Sequence, residues 1–170
     1  MEKPIYVQTT PVTIKQFKEF VDANPTYTLD GMKEGKLWNY KVKTGLGDLY
    51  DENYPVANVS LKDIEKYIEW FSKKTGYKYR LPTVKEWIMT INQNFQDADL
   101  YTRRQKVDTT TKKVSQFVGN LFEFSSSRDG CDNGVLLLAN QYGIDTKNMG
   151  KKICQGRLSA FITFRLVREK

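Results

Sequence analysis

The chain has 170 residues, 39% hydrophobic and 13% aromatic, enough to enclose one well-buried core and short for two, so a single domain over residues 1–170 is expected. Lys and Arg number 27 against 20 Asp and Glu, and the resulting charge of +7 favours anionic ligands without specifying a fold. Histidine is absent, which removes the commonest general base and transition-metal ligand and leaves Asp, Glu, Lys, Tyr and Cys for any chemistry.

The opening MEKPIYVQTTPV has no apolar core of a secretory leader, and the longest purely apolar run, VLLLA at residues 135–139, is far too short to span a bilayer. A soluble chain is expected. Three helix starts then share one grammar. Thr13 with Gln16, Ser60 with Asp63 and Thr83 with Glu86 each place a hydroxyl N-cap three residues before a side chain able to reach back to the cap. Helical periodicity follows each: Ile14, Phe17 and Val21; Leu61, Ile64, Ile68 and Phe71; Val84, Trp87, Ile88 and Ile91. These stripes read as core. Pro11 and Pro25 bracket the first helix, and Gly76 marks the end of the second.

Residues 25–54, rich in Gly, Asp, Lys and Tyr, read as an extended connection with short strands such as LWNYKV. After the third helix, the Thr-rich basic stretch at residues 101–117 reads as an exposed loop or hairpin. The remainder reads as strand and turn. SSSRDGCDNG is a turn cluster, VLLLANQY a buried strand, IDTKNMGKK a polar loop and SAFITFRLV a closing strand of alternating apolar residues. The expected class is α+β, with helices early and a twisted antiparallel sheet late.

Two stretches interleave cations with tyrosine or polar residues, KKTGYKYR at residues 73–80 and TRRQK at 102–106. Such composition suits a polyanion surface, and equally a solvated face in which Lys and Arg complement a helix C-terminus. No nucleic-acid-binding motif accompanies them, so nucleic acid is not the expected partner. Cys131 and Cys154 stand 23 positions apart, which is neither a metal-binding spacing nor a dense disulfide framework, and their bonding is left open. Glu123 lies between Phe122 and Phe124, and strand alternation alone would turn its carboxylate away from the face that carries the rings. Alternation would likewise set Arg165 opposite Phe164 and Leu166, so that it needs a partner or solvent.

PVTIKQFKEFV, the long segment YPVANVSLKDIEKYIEWFSKKTGYKYRLPTVKEW, VGNLFEF and FITFRLV follow one another in the order and with roughly the spacing found in the formylglycine-generating enzyme (sulfatase-modifying factor) family. The chain resembles that family, which implies a C-type-lectin-like fold: a loop-rich antiparallel sheet flanked by helices. The family's enzymes carry a closely spaced cysteine pair after an RGGSW strand, where this chain reads NGVLLLANQYG. Related sulfoxide synthases of that fold use histidines to hold iron, and here there are none. The resemblance therefore implies a catalytically degenerate member, a binding or structural module that belongs to a larger assembly such as a phage particle. The competing reading is a cysteine-dependent oxidase with altered cysteine positions, in which Cys154, beside Lys151 and Lys152, would be the reactive thiol.

By the same resemblance the segments after the third helix form the exposed end of the fold. Arg128, Tyr142, Asn148 and Lys151 are the expected contact residues for a protein partner or an anionic ligand. The family's GN.WEW segment also contributes to a calcium site. Carried over, its ligands would be the carbonyls of Gly119 and Leu121, the Glu123 carboxylate, and Gln116 in place of the family's asparagine. Glu123 thus has three expected partners: backbone amides, an arginine (Arg128 or Arg165), or calcium, with the metal the least favoured.

Overall fold

The computed structural model describes residues 4–33, 35, 38, 42–44, 47–49, 51–94, 107–110, 122–126, 136–137 and 162–170. All three hydroxyl caps form as their spacing predicts. Helix α1 (Ile14–Ala23) starts at Thr13, whose side chain accepts from the Gln16 amide while Gln16 accepts from the Thr13 amide. Helix α3 (Leu61–Thr75) starts at Ser60 with the same reciprocal pair through Asp63, and stops at Gly76, whose left-handed φ of 75° suits a residue without Cβ. Helix α4 (Val84–Asn94) starts at Thr83, whose hydroxyl accepts from the Glu86 amide at 3.2 Å.

A short turn of helix, α2 (Asp30–Lys33), lies in the connection expected to be extended, followed by a hairpin of β2 (Val42–Thr44) and β3 (Gly47–Leu49). Asp63 explains why α2 forms. Besides capping α3, its carboxylate accepts from the Tyr27 hydroxyl at 2.9 Å and the Asp30 amide at 3.2 Å, while Ser60 donates to Asp30 at 2.7 Å. Burial and the Asp63 carboxylate together push the Tyr27 hydroxyl above the usual phenol range. Asp63 is fully buried, so each donor it satisfies would be orphaned without it.

Where one sheet late in the chain is expected, the described residues form three small sheets. In the first, β1 (Ile5–Val7) and β4 (Tyr79–Arg80) flank β8 (Val167–Glu169), all antiparallel, so the first and last strands of the chain are partners. The second is the β2–β3 hairpin. In the third, β5 (Phe122–Phe124) runs antiparallel to β6 (Leu136–Leu137) and parallel to β7 (Ile162–Thr163). The closing strand expected over SAFITFRLV is therefore two strands, β7 in one sheet and β8 in another. Between them the Val12 and Gln8 amides donate to the Phe164 and Leu166 carbonyls, each at 2.9 Å. Passing between sheets covers both sides of this segment, and Phe164, Arg165, Leu166 and Val167 are all buried, where alternation predicts one face out.

Aromatic rings fill the space between α1, α3 and this crossing. Phe17 stacks on Tyr67 at 5.4 Å between centroids, and Phe164 meets Tyr67 edge-on at 5.6 Å. The α1 stripe includes Phe20, which the expected stripe of Ile14, Phe17 and Val21 omits. The segment at residues 54–59 lies against this core. Val56 donates to the Val12 carbonyl, and Asn58 adopts a left-handed φ of 56°, which Asn tolerates better than most residues. No helix among the described residues is long and apolar enough to cross a membrane.

Replacing Asp63 with Ala should lower stability by at least about 2 kcal/mol, since several buried donors lose their acceptor, whereas Ser60→Ala should lower it by about 1 kcal/mol. Urea unfolding monitored by circular dichroism measures both. Equal effects would mean that Asp63 acts only as a cap.

Candidate functional site

The carboxylate between two phenylalanines belongs to an enclosed ion pair. Glu123 in β5 is 1% exposed and Arg165, between β7 and β8, is 0% exposed. Arg165 Nη2 donates to Glu123 Oε1 and Nε donates to Oε2, both at 2.7 Å, a two-pronged pair that matches the planar guanidinium to the planar carboxylate. Trp87 of α4 adds its indole N–H to Oε2 at 3.0 Å. Arg165 Nη1 reaches the carbonyls of Gln8 and Thr9, each at 3.4 Å. Removing two ions from water is offset only when geometry and hydrogen bonding are this complete.

Of the three partners expected for Glu123, the arginine is the one found among the described residues, and it is Arg165. Both carboxylate oxygens accept from N–H donors, Oε1 from Arg165 and Oε2 from Arg165 and Trp87. Gly119, Leu121 and Gln116, the other members of the expected calcium shell, lie outside the described residues. So do Arg128, Tyr142, Asn148 and Lys151, both cysteines, and the TRRQK stretch.

A second ion-paired centre orders the RLPTVKEW segment. Arg80 forks onto Glu86 at 2.7 and 2.8 Å and reaches Glu169 of β8 through Nε at 3.0 Å. Glu86 also accepts from the Thr83 amide at 2.8 Å, so one carboxylate caps α4 and fastens it to β4. The Arg80 guanidinium, aided by the Thr83 donors, holds the Glu86 carboxyl at about 2. The capping box was legible in T-x-x-E. The fork was not, although an arginine six positions before a capping glutamate is a readable feature.

The remaining cations of KKTGYKYR are engaged as well. Lys73 pairs with Glu69 at 2.9 Å, Lys74 with Glu19 at 2.6 Å and Lys78 with Glu169 at 3.0 Å. A run of basic residues in sequence is thus a set of local ion pairs in space. A cleft of about 240 Å³ opens where β5 ends, lined by Leu61, Ile68, Leu81 and Ser125 among others, with Arg80 and Glu65 at its rim.

Comparison with known proteins places this architecture. Residues 2–146 match the model of the sulfatase-modifying factor enzyme 1-like domain. The chain belongs to this family. Among solved structures, the sulfatase-modifying factor-like chain shares its fold with PvdO from Pseudomonas aeruginosa, at TM-score 0.61 and 12% identity over 98% of this chain and 81% of that one. CarF is similar at TM-score 0.61 and 15% identity, with 98% of this chain and 87% of that one covered. Treponema denticola variable protein 1 is similar at TM-score 0.55 and 14% identity, with 98% and 84% covered. No curated protein sequence matches the chain significantly.

Glu123→Ala and Arg165→Ala should each destabilise the fold by about 3–5 kcal/mol, because each leaves a buried charge without its partner. The double replacement Glu123→Leu with Arg165→Met should lose much less than the sum of the two. A double-mutant cycle by urea unfolding reads the coupling, and strict additivity would show that the pair is not coupled.

Proposed function

We propose that this sulfatase-modifying factor-like chain is a non-catalytic binding or structural module, a subunit of a larger assembly such as a phage particle. One observation carries the reading: its only two cysteines stand 23 positions apart, and NGVLLLANQYG replaces the segment in which the family's enzymes place their cysteine pair. The family's signature residues that can be located, Arg80, Glu86, Glu123 and Arg165, are engaged in holding the scaffold together. The fold likeness to a Treponema denticola protein named as variable is in keeping with a scaffold role. Fold likeness is an analogy here, and the contact surface rests on chemistry: Arg128, Tyr142, Asn148 and Lys151 combine the residue types that anchor interfaces.

Native mass spectrometry of the protein purified from its source should show a complex with a defined companion, and Arg128→Ala with Tyr142→Ala should weaken that complex. Cys154→Ser should leave it intact. A solitary monomer, or a cysteine-dependent oxidation lost in Cys154→Ser, would instead favour the oxidase reading, which Lys151 and Lys152 beside Cys154 support.

Arg165 is the cation we assign to Glu123, and calcium at Gly119, Leu121, Gln116 and Glu123 is the alternative. The melting midpoint should be the same in excess calcium and in chelator. A rise with calcium that disappears in Glu123→Gln would assign the metal instead.

A further inference from the structure

The row of residues across the first sheet separates two kinds of charge. The register pairs Tyr6 with Arg168 and Arg168 with Tyr79, so these three side chains share one face, while Lys78, Arg80 and Glu169 alternate onto the other. On that other face every cation has a carboxylate. Arg168 is different. Its guanidinium lies over two rings, 4.5 Å from the Tyr6 centroid and 4.3 Å from that of Tyr77, and it makes no ion pair or hydrogen bond among the described residues. Both tyrosines are about half exposed, at 50% and 54%. A cleft of about 250 Å³ is lined by Tyr6 and Arg168 together with Phe71, Tyr79 and Leu166.

We propose that this face docks an acidic segment of a protein partner, with an Asp or Glu engaging Arg168 and a neighbouring bulky apolar side chain entering the cleft. The two ring contacts attract the cation without pairing it, so its N–H groups meet no carboxylate among the described residues and can take one from a partner. The rings also hold the side chain in place before binding, which lowers the entropy lost when the contact forms. The cleft is below the roughly 300–1,000 Å³ of small-molecule sites, a size suited to one side chain.

A single-stranded nucleic acid would need a track of available cations and open ring faces. Lys73, Lys74, Lys78 and Arg80 are already paired, and each tyrosine gives one face to Arg168, so the face offers one charge and not a series. The cleft at the end of β5 has a weaker claim, because its arginine, Arg80, is committed to Glu86 and Glu169.

The inference rests on reading the chain as a binding module but not on the loop residues assigned above. Panning a random peptide library on the full chain should enrich sequences with an acidic residue next to a bulky apolar one. By fluorescence anisotropy these peptides should bind Arg168→Gln at least about tenfold more weakly, and lose a similar factor when their acid is changed to its amide. Tyr6→Ala, which leaves Arg168 only one ring, should weaken binding less, and Arg128→Ala with Tyr142→Ala should leave it unchanged. Unaltered melting curves would show that the variants remain folded. The proposal is overturned if panning enriches no such sequences, if the peptides bind Arg168→Gln as tightly as the parent, or if an oligothymidylate binds through Arg168 more tightly than they do. Peptide binding that persists when the native companion is lost in the loop variant separates this surface from that one.

Discussion

A carboxylate and a guanidinium enclosed together, Glu123 and Arg165, set the terms for everything around them. Burying either ion without the other would carry a large desolvation cost, so β5 and the crossing between β7 and β8 must arrive in register. The same pair recruits α4 through Trp87 and the residues after β1 through the carbonyls of Gln8 and Thr9. Segments far apart in sequence therefore meet at one polar centre. The apolar core of Phe17, Tyr67 and Phe164 can tolerate small shifts of packing; a forked ion pair tolerates few.

Charge elsewhere is largely spent locally. Asp63 gathers the donors of Tyr27, Asp30 and Ser60, and Arg80 with Glu86 and Glu169 joins α4 to the first sheet. The net excess of cations is thus not spread evenly over the described surface, because most of the basic segment before β4 is matched by acids from neighbouring elements. What distinguishes a residue such as Arg168 is the company it keeps: two rings in place of a carboxylate.

The local grammar of the chain was legible and the long-range part was not. Hydroxyl caps and their return partners at Thr13, Ser60 and Thr83 involve residues three apart, so the helices could be located from sequence alone, as could the termination at Gly76. The motifs carrying the family resemblance likewise lie in short stretches. Alternation leaves Arg165 either a partner or solvent, because it supposes one wet face; the segment that crosses from one sheet to another has none, and the partner, Glu123, is what remains. The partner of Glu123 was narrowed to a few candidates, Arg165 among them, yet its choice depends on β5 and β7 being parallel neighbours, which no periodicity encodes. Trp87 was recognisable as core; that its indole N–H would need an acceptor there was a further clue that burial of tryptophan always supplies. The expected contact residues fall outside the described structure, and their placement rests on the resemblance.

The antiparallel pairing of β1 with β8 has a kinetic side. A ribosome releases Ile5 to Val7 long before it makes Val167 to Glu169, so the first sheet lacks its middle strand until those residues are made. Closing that sheet brings together residues far apart in sequence, Ile5 and Glu169, an entropic step that is easier once local contacts have formed. Until that strand arrives, β1 and β4 each present an unsatisfied backbone edge, the period in which synthesis leaves the protein most open to pairing with the wrong strand.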